Sequence, residues 1–112
     1  MIRGGVYRID LGDAKRGHEL KGRRLGILMS HPRPTWSTAT VIPTSTSAQE
    51  AIFRPLLEVD GRATRALVDQ IRTIDIQYFT DPDPVGILEL RDMSQIEYAL
   101  TNLMMISLDL DY

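Results

Sequence analysis

The spacing of hydrophobic residues changes only once along this chain, and that change limits the fold more than any other feature. Residues 6–11 alternate, with Tyr7, Ile9 and Leu11 on one side, and a period of two is typical of a half-buried strand. Further short segments of strand character, separated by turn-forming residues, are predicted at 25–29, 38–42, 53–59, 66–74 and 85–88. The polar stretch 12–22 is bounded by glycines and is predicted to be an exposed loop.

Helical spacing begins only near residue 92. Asp92 is a candidate N-cap with Gln95 three residues later. The apolar residues that follow at helical spacing are Ile96, Leu100, Leu103 and Ile106, and Met104 and Met105 are predicted to widen this stripe. Several short strands followed by one helix predict a small, barrel-like, mainly β domain that the helix covers.

Composition narrows the class of protein. A chain of 112 residues has room for one domain, residues 1–112, and its hydrophobic content of 43% with 25% charged residues is ordinary for a globular protein. It has no cysteine, which excludes disulfides and thiolate metal sites. No apolar run approaches the ~20 residues of a membrane span, and the start does not resemble a signal peptide. The expected location is the cytoplasm.

Positive charge is concentrated in one segment, although the formal net charge is only -2. The cations between Asp13 and Arg24 are Lys15, Arg16, Lys21, Arg23 and Arg24, with His18 among them. Clustered cations favour an anion-binding surface. By charge alone, however, a solvated loop without a ligand is the more common outcome.

The residues available for chemistry point away from metals and nucleotide cofactors. His18 and His31 lie in separate loops, and no carboxylates have convincing ligand spacing. P-loop, dinucleotide and G-x-S-x-G motifs are also absent. RNA cleavage requires neither a metal nor a cofactor, because the substrate carries its own nucleophile, the 2′-hydroxyl. An arginine beside hydroxyl donors can stabilise the phosphorane, and Arg24 with residues 44–46 is a compatible set.

Three sequence blocks resemble the MazF/PemK (Kid) family of toxin ribonucleases. Residues 4–11 are similar to the family's opening "RGDVYxxDL", residues 17–24 to its "G-S/H-E-Q-x-G-x-R-P" loop, and residues 69–75 to its "DQ-x-R/K-S/T-I-D" signature. The resemblance covers essentially the whole chain. It implies a small SH3-like β-barrel of the MazF/CcdB type with a C-terminal helix. It also implies a metal-independent, cofactor-free endoribonuclease, an mRNA interferase that cuts single-stranded RNA and leaves a 2′,3′-cyclic phosphate.

The resemblance assigns catalytic roles by position. Arg24 falls on the family's catalytic arginine, and the family's threonine two residues after a strand-end proline corresponds to Ser45, with Thr46 adjacent. The choice between these two hydroxyls stays open. His18 matches the "GHE" variant, in which the histidine assists proton transfer, so its implied role is auxiliary.

A second set of positions is implied to hold RNA. These residues are Gln70, Arg72, Asp75, Arg23, Lys21 and Phe53. Without the resemblance, Arg72 and Asp75 are better interpreted as a structural ion pair at a strand end, Phe53 as a core residue, and Trp36 as a packing lid.

Partners follow from the resemblance as well. It implies a two-fold homodimer whose two subunits contribute to one RNA groove, and a cognate antitoxin whose acidic tail covers that groove. Two alternatives stay open: a gyrase-binding toxin of the CcdB type on the same fold, or an antitoxin-binding homologue with weakened catalysis. The second is suggested by Ser45, where the family has threonine, and by Leu25, where the family usually has proline.

Overall fold

The computed structural model describes residues 1–12 and 21–106. Its strands are β1 (Gly5–Asp10), β2 (Arg23–Leu28), β3 (Thr38–Ser45), β4 (Leu56–Val59), β5 (Arg62–Ala66), β6 (Arg72–Asp75) and β7 (Gly86–Ile87), and its helix is α1 (Leu90–Met104). Two 3₁₀ turns, Val68–Gln70 and Ile76–Tyr78, precede and follow β6. The sequence prediction of a mainly β domain with one C-terminal helix is confirmed.

The strands form one antiparallel, near-closed barrel in the order β4-β5-β3-β2-β1-β7, and β6 also pairs with β3. Strand β3 organises the sheet because it pairs with three others. Its residues 41–43 pair with β2, and its residues 38–41 pair with β6. Thr44 and Ser45 pair with Ala66 and Arg65 of β5.

Two hydrophobic clusters lie on opposite faces of the sheet. The first includes Val6, Ile27 and Ile42 and is covered by Met93 and Ile96 of α1. The second consists mainly of Tyr7, Ile9, Leu28, Val41 and Ile74, with Phe79 packed against it. The alternation seen in the sequence of β1 therefore has a direct cause, since successive side chains enter different clusters.

Two predicted strands differ from the structure. The segment predicted at 53–59 becomes a strand only at Leu56, because residues 51–54 form a turn that leads into Pro55. The segment predicted at 66–74 is interrupted by the 3₁₀ turn at Val68–Gln70, so Ala66 ends β5 and Arg72 begins β6. Hydrophobicity alone could not indicate this break, since Leu67 and Val68 are both buried.

The helix begins two residues before the predicted cap. Its N-cap is Glu89 rather than Asp92, which lies in the first turn. Met93, Ile96 and Ala99 are buried, whereas Met104 and Met105 are 57% and 89% exposed and do not belong to the packed stripe. Met105 is the left-handed C-cap, so Ile106 lies beyond the end of the helix.

Within the described ranges, none of the helices has the length and apolar character needed to cross a lipid bilayer.

Candidate active site

The candidate site lies where β2 begins and β3 ends. The two strands are paired through Gly26, Ile27 and Leu28, and beyond Gly26 a cleft of about 380 Å³ opens between their ends. Arg24, Ser45 and Thr46 all border it. Three of the four residues to which the resemblance assigns catalytic roles are therefore brought together from positions about 20 residues apart in the sequence.

Strand register determines which side chains share a face. Arg24 lies opposite Ile9 of the second cluster, and alternation from Val41 puts Ser45 on that same face of β3. Arg23 and Leu25 belong to the other face, which the helix covers further along the sheet. Because the cleft lies at the strand ends, residues from both faces border it.

Arg24 is half-buried, and its Nε donates a hydrogen bond to the Lys21 carbonyl at 3.3 Å. This bond fixes the base of the guanidinium group. Among the described residues, no hydrogen bond joins Arg24 to Ser45 or Thr46. Its other donor nitrogens can therefore turn toward a phosphate between the strands.

The three hydroxyls at the end of β3 have different surroundings. Thr44 is buried, and its hydroxyl donates to the Leu25 carbonyl at 3.3 Å, which ties the two separating strands together. Ser45 is only 8% exposed, and its Oγ accepts the Ser47 N–H at 3.3 Å. Thr46 is exposed at the mouth of the cleft. The Ser45 hydroxyl is therefore oriented by its hydrogen bond to Ser47 and can donate its own proton, whereas the Thr46 hydroxyl is more accessible to solvent.

The cleft is strongly cationic. Four arginines and one aspartate border it: Arg8, Arg23, Arg24, Arg62 and Asp60. Arg8 is partly balanced by Asp81, with an Nη1–Oδ2 distance of 3.8 Å. Such a surface attracts an anionic backbone even though the whole chain is slightly acidic.

Two of these arginines were not singled out by the sequence. Arg62 follows the tight turn at Asp60 and Gly61, whose φ values of 51° and 77° are typical of a two-residue hairpin. Arg8 lies on β1 opposite Leu25. Their common signal in the sequence is only a charged residue in a strand, so the three-dimensional pairing is needed to recognise them.

A second feature is a separate, open groove of about 550 Å³. It is formed by one continuous segment, residues 69–75, together with Tyr78. Gln70, Arg72 and Asp75 all line this groove and not the Arg24 cleft. Three residues of the implied RNA-binding set are therefore separate from the cleft, whereas Arg23 of the same set borders it.

Strand alternation in β6 bears on the ion pair suggested by the sequence. Arg72 lies opposite Val41 and shares a face with the buried Ile74, whereas Asp75 points to the other face. The Asp75 carboxylate accepts the Gln77 N–H at 2.8 Å and caps the following turn. Arg72 donates to the Gln70 side chain at 3.4 Å. Arg72 and Asp75 therefore point to opposite faces of β6, and the Asp75 carboxylate is engaged by the turn rather than shown paired with Arg72.

The remaining predicted residues that the structure describes fall outside both features. Lys21 is exposed and contributes its carbonyl to Arg24. Phe53 is half-buried, belongs to neither hydrophobic cluster and borders neither the cleft nor the groove. Trp36 is 51% exposed with the Arg33 guanidinium 4.9 Å above its ring, so it is not a buried lid. His18 lies outside the described residues.

Comparison with known proteins gives one consistent result. A family model for the PemK-like, MazF-like toxin of type II toxin–antitoxin systems matches residues 2–104. Rv3098A of Mycobacterium tuberculosis (strain ATCC 25618 / H37Rv), which is described as a candidate toxin, is 57% identical over 100 residues. That match covers 89% of this chain and 93% of the relative.

Solved structures share the fold at low sequence identity. MazF from Deinococcus radiodurans superposes with a TM-score of 0.79 and 19% identity, over 92% of this chain and 94% of that one. An endoribonuclease from a mycobacterial species, solved in complex with its cognate antitoxin, gives a TM-score of 0.77 and 18% identity, over 97% and 99% of the two chains.

Proposed function

Because the chain belongs to the PemK-like, MazF-like toxin family of type II toxin–antitoxin systems, we propose that it is an endoribonuclease that cuts single-stranded RNA in the cytoplasm without a metal ion. The observation that carries the proposal is the cationic cleft bordered by both Arg24 and the hydroxyls of residues 45 and 46. Homologues of the same fold are described as endoribonucleases.

The chemistry needs a nucleophile, a charge stabiliser and a route for two protons. The 2′-hydroxyl of RNA attacks the neighbouring phosphorus, the bond to the 5′-oxygen breaks, and a 2′,3′-cyclic phosphate remains. The Arg24 guanidinium donates to the non-bridging oxygens as their charge increases. The Ser45 hydroxyl, held in place by the Ser47 N–H, donates to the same oxygens, and His18 assists proton transfer.

The groove along β6 is assigned a different task. This groove is lined by Gln70, Arg72 and Asp75, and these side chains hold the RNA that flanks the scissile bond. Arg23 and Arg62 supply further phosphate contacts at the cleft. We propose a homodimer as the active form, so that both subunits contribute to one RNA path.

The same cationic surface suits a protein partner. An antitoxin segment rich in acidic side chains would compete with RNA for the arginines of the cleft. The mycobacterial structural neighbour is solved with its cognate antitoxin, which supports an antitoxin as the partner of this chain.

The test uses the purified chain and an unstructured RNA with a mapped cut site. Cleavage is expected in EDTA, with a 2′,3′-cyclic phosphate on the upstream product, and a single 2′-deoxynucleotide at the cut site is expected to abolish cleavage at that bond. Cleavage that requires Mg²⁺, or that continues at the 2′-deoxy position, would contradict the mechanism. Stalling of gyrase on supercoiled DNA without RNA cleavage would favour a CcdB-type function.

A further inference from the structure

We infer that the Arg54–Asp69 ion pair positions the entry turn of the RNA-binding groove relative to the Arg24 cleft. The inference rests on the proposed function. Asp69 is the first residue of the 69–75 block, and it lies next to Gln70. Arg54 comes from the irregular segment that follows the cleft hydroxyls. Neither residue has a role in the proposed chemistry.

The ion pair is bidentate, with two hydrogen bonds between one guanidinium and one carboxylate. Arg54 Nε donates to Asp69 Oδ1 at 3.1 Å, and Nη2 donates to Oδ2 at 2.9 Å. The two side chains are only 26% and 29% exposed. Parallel bonds of this kind fix orientation as well as distance, which a lysine cannot do. The Arg54 hydrogen bonds lower the pKa of Asp69, so its carboxylate stays ionised in the folded protein.

The segment that Asp69 stabilises has little support of its own. The 3₁₀ turn Val68–Gln70 has three residues, and its N-cap Leu67 provides no side-chain cap. Turns this short depend on tertiary contacts. Besides the ion pair, the Val68 N–H donates to the Phe53 carbonyl at 3.2 Å. Val68 is buried in the core and the Leu67 N–H donates to the Pro43 carbonyl at 2.9 Å, so the Arg54 segment supplies the contacts to the solvent side of the turn, where Asp69 and Gln70 lie.

Arg54 is in turn connected to the cleft. Arg65 Nη1 donates to the Arg54 carbonyl at 2.9 Å, and Arg65 lies directly opposite Ser45 in the ladder between β3 and β5. A continuous set of contacts thus runs from Ser45 through Arg65 and Arg54 to Asp69. Loss of the ion pair would leave the cleft intact and β6 paired with β3, but it would allow the entry turn with Gln70 to move relative to the cleft.

The expected effect is therefore on substrate binding rather than on the chemical step. Asp69→Asn and Arg54→Gln are each expected to raise KM for the mapped RNA by about 3- to 10-fold and to leave kcat within twofold. Arg54→Lys, which keeps the charge but loses the second hydrogen bond, is expected to show an intermediate KM. A fluorescent 2′-O-methyl RNA of the same sequence, which cannot be cut, is expected to show the same order of Kd values.

The chain provides a matched control in Arg3 and Glu97. Their ion pair has the same 2.9 Å distance, and it borders neither the cleft nor the groove. Glu97→Gln is expected to leave both KM and kcat within twofold of the wild type.

A fall in kcat as large as the rise in KM would overturn the positioning role, because partial unfolding reduces the fraction of active protein rather than its affinity for RNA. No change in either constant would also overturn it, because the ion pair would then have no effect on RNA binding. Thermal unfolding of each variant identifies that case. Wild-type cleavage is measured in the same series, so failure of the proposed function is visible separately.

Discussion

The Arg24 cleft and the β6 groove are assembled in opposite ways, although both are candidate RNA contacts. The groove is built from one run of sequence, residues 69–75, along one strand and its flanking turns. The cleft collects side chains from β1, β2, β3 and the β4–β5 hairpin. The difference indicates a division of work, since a local segment provides a surface whereas converging strand ends can surround a single phosphate.

The two regions also differ in how they are anchored to the sheet. The cleft lies between strands that are paired on both sides, and Thr44 ties β3 to β2 at its floor. The groove follows β6, whose described pairing is with β3 alone, and the solvent side of its entry turn is tied down by the Arg54–Asp69 ion pair. We therefore expect substitutions in the cleft to change kcat and substitutions that affect the groove to change KM.

The largest effect within this comparison, apart from Arg24 itself, is expected at Ser45. Ser45→Ala removes the oriented hydroxyl from the cleft and should lower kcat by about 10²-fold. Thr46→Ala should lower kcat by less than about tenfold. Single-turnover cleavage in EDTA measures both. The matched control is Ser30→Ala, since Ser30 Oγ accepts the Thr40 N–H at 3.0 Å outside the cleft. If Thr46→Ala proves the more damaging, the exposed hydroxyl is the catalytic one.

The smallest effect concerns pH and belongs to the groove. Hydrogen bonds from Arg54 lower the pKa of Asp69, so the pair contributes stability above the unfolded pKa of about 3.9 and loses it as pH falls through the lower, folded value. The Tm of Asp69→Asn should thus lie below that of the wild type near pH 7, and the gap should close in acid. A gap that persists unchanged below pH of about 2 would show that the carboxylate's charge is irrelevant.

The sequence blocks include more of the residues that line the groove than of those that line the cleft, for a physical reason. Block 69–75 is contiguous, so its residues are neighbours in any fold, and a motif describes them fully. The cleft depends on register: Arg24 and Ser45 share a face only because β2 and β3 pair through Gly26 and Pro43. Arg62 and Arg8 enter the site through other strands, and nothing in their local sequence marks them.

The errors in secondary structure have a similar origin. The run 66–74 is apolar enough for one strand, but the chain must step from β5 to β6 along the same edge of β3, which requires the turn at Val68–Gln70. At the helix, Asp92 is a residue type that often caps, yet the cap is Glu89, whose carbonyl accepts the Met93 N–H, and the preceding Leu88 N–H is bonded to the Gly4 carbonyl. In both cases the element boundary lies beside a contact with a distant strand, which local sequence does not reveal.

Cleavage and binding by Arg24→Ala provide the most direct test of the account. If the guanidinium stabilises charge that appears only as the phosphorane forms, kcat should fall by about 10²–10³-fold, while Kd for an uncleavable 2′-O-methyl RNA should stay within a few-fold of the wild type. Undiminished cleavage, or a loss of binding that accounts for the whole loss of activity, would contradict the catalytic role of Arg24.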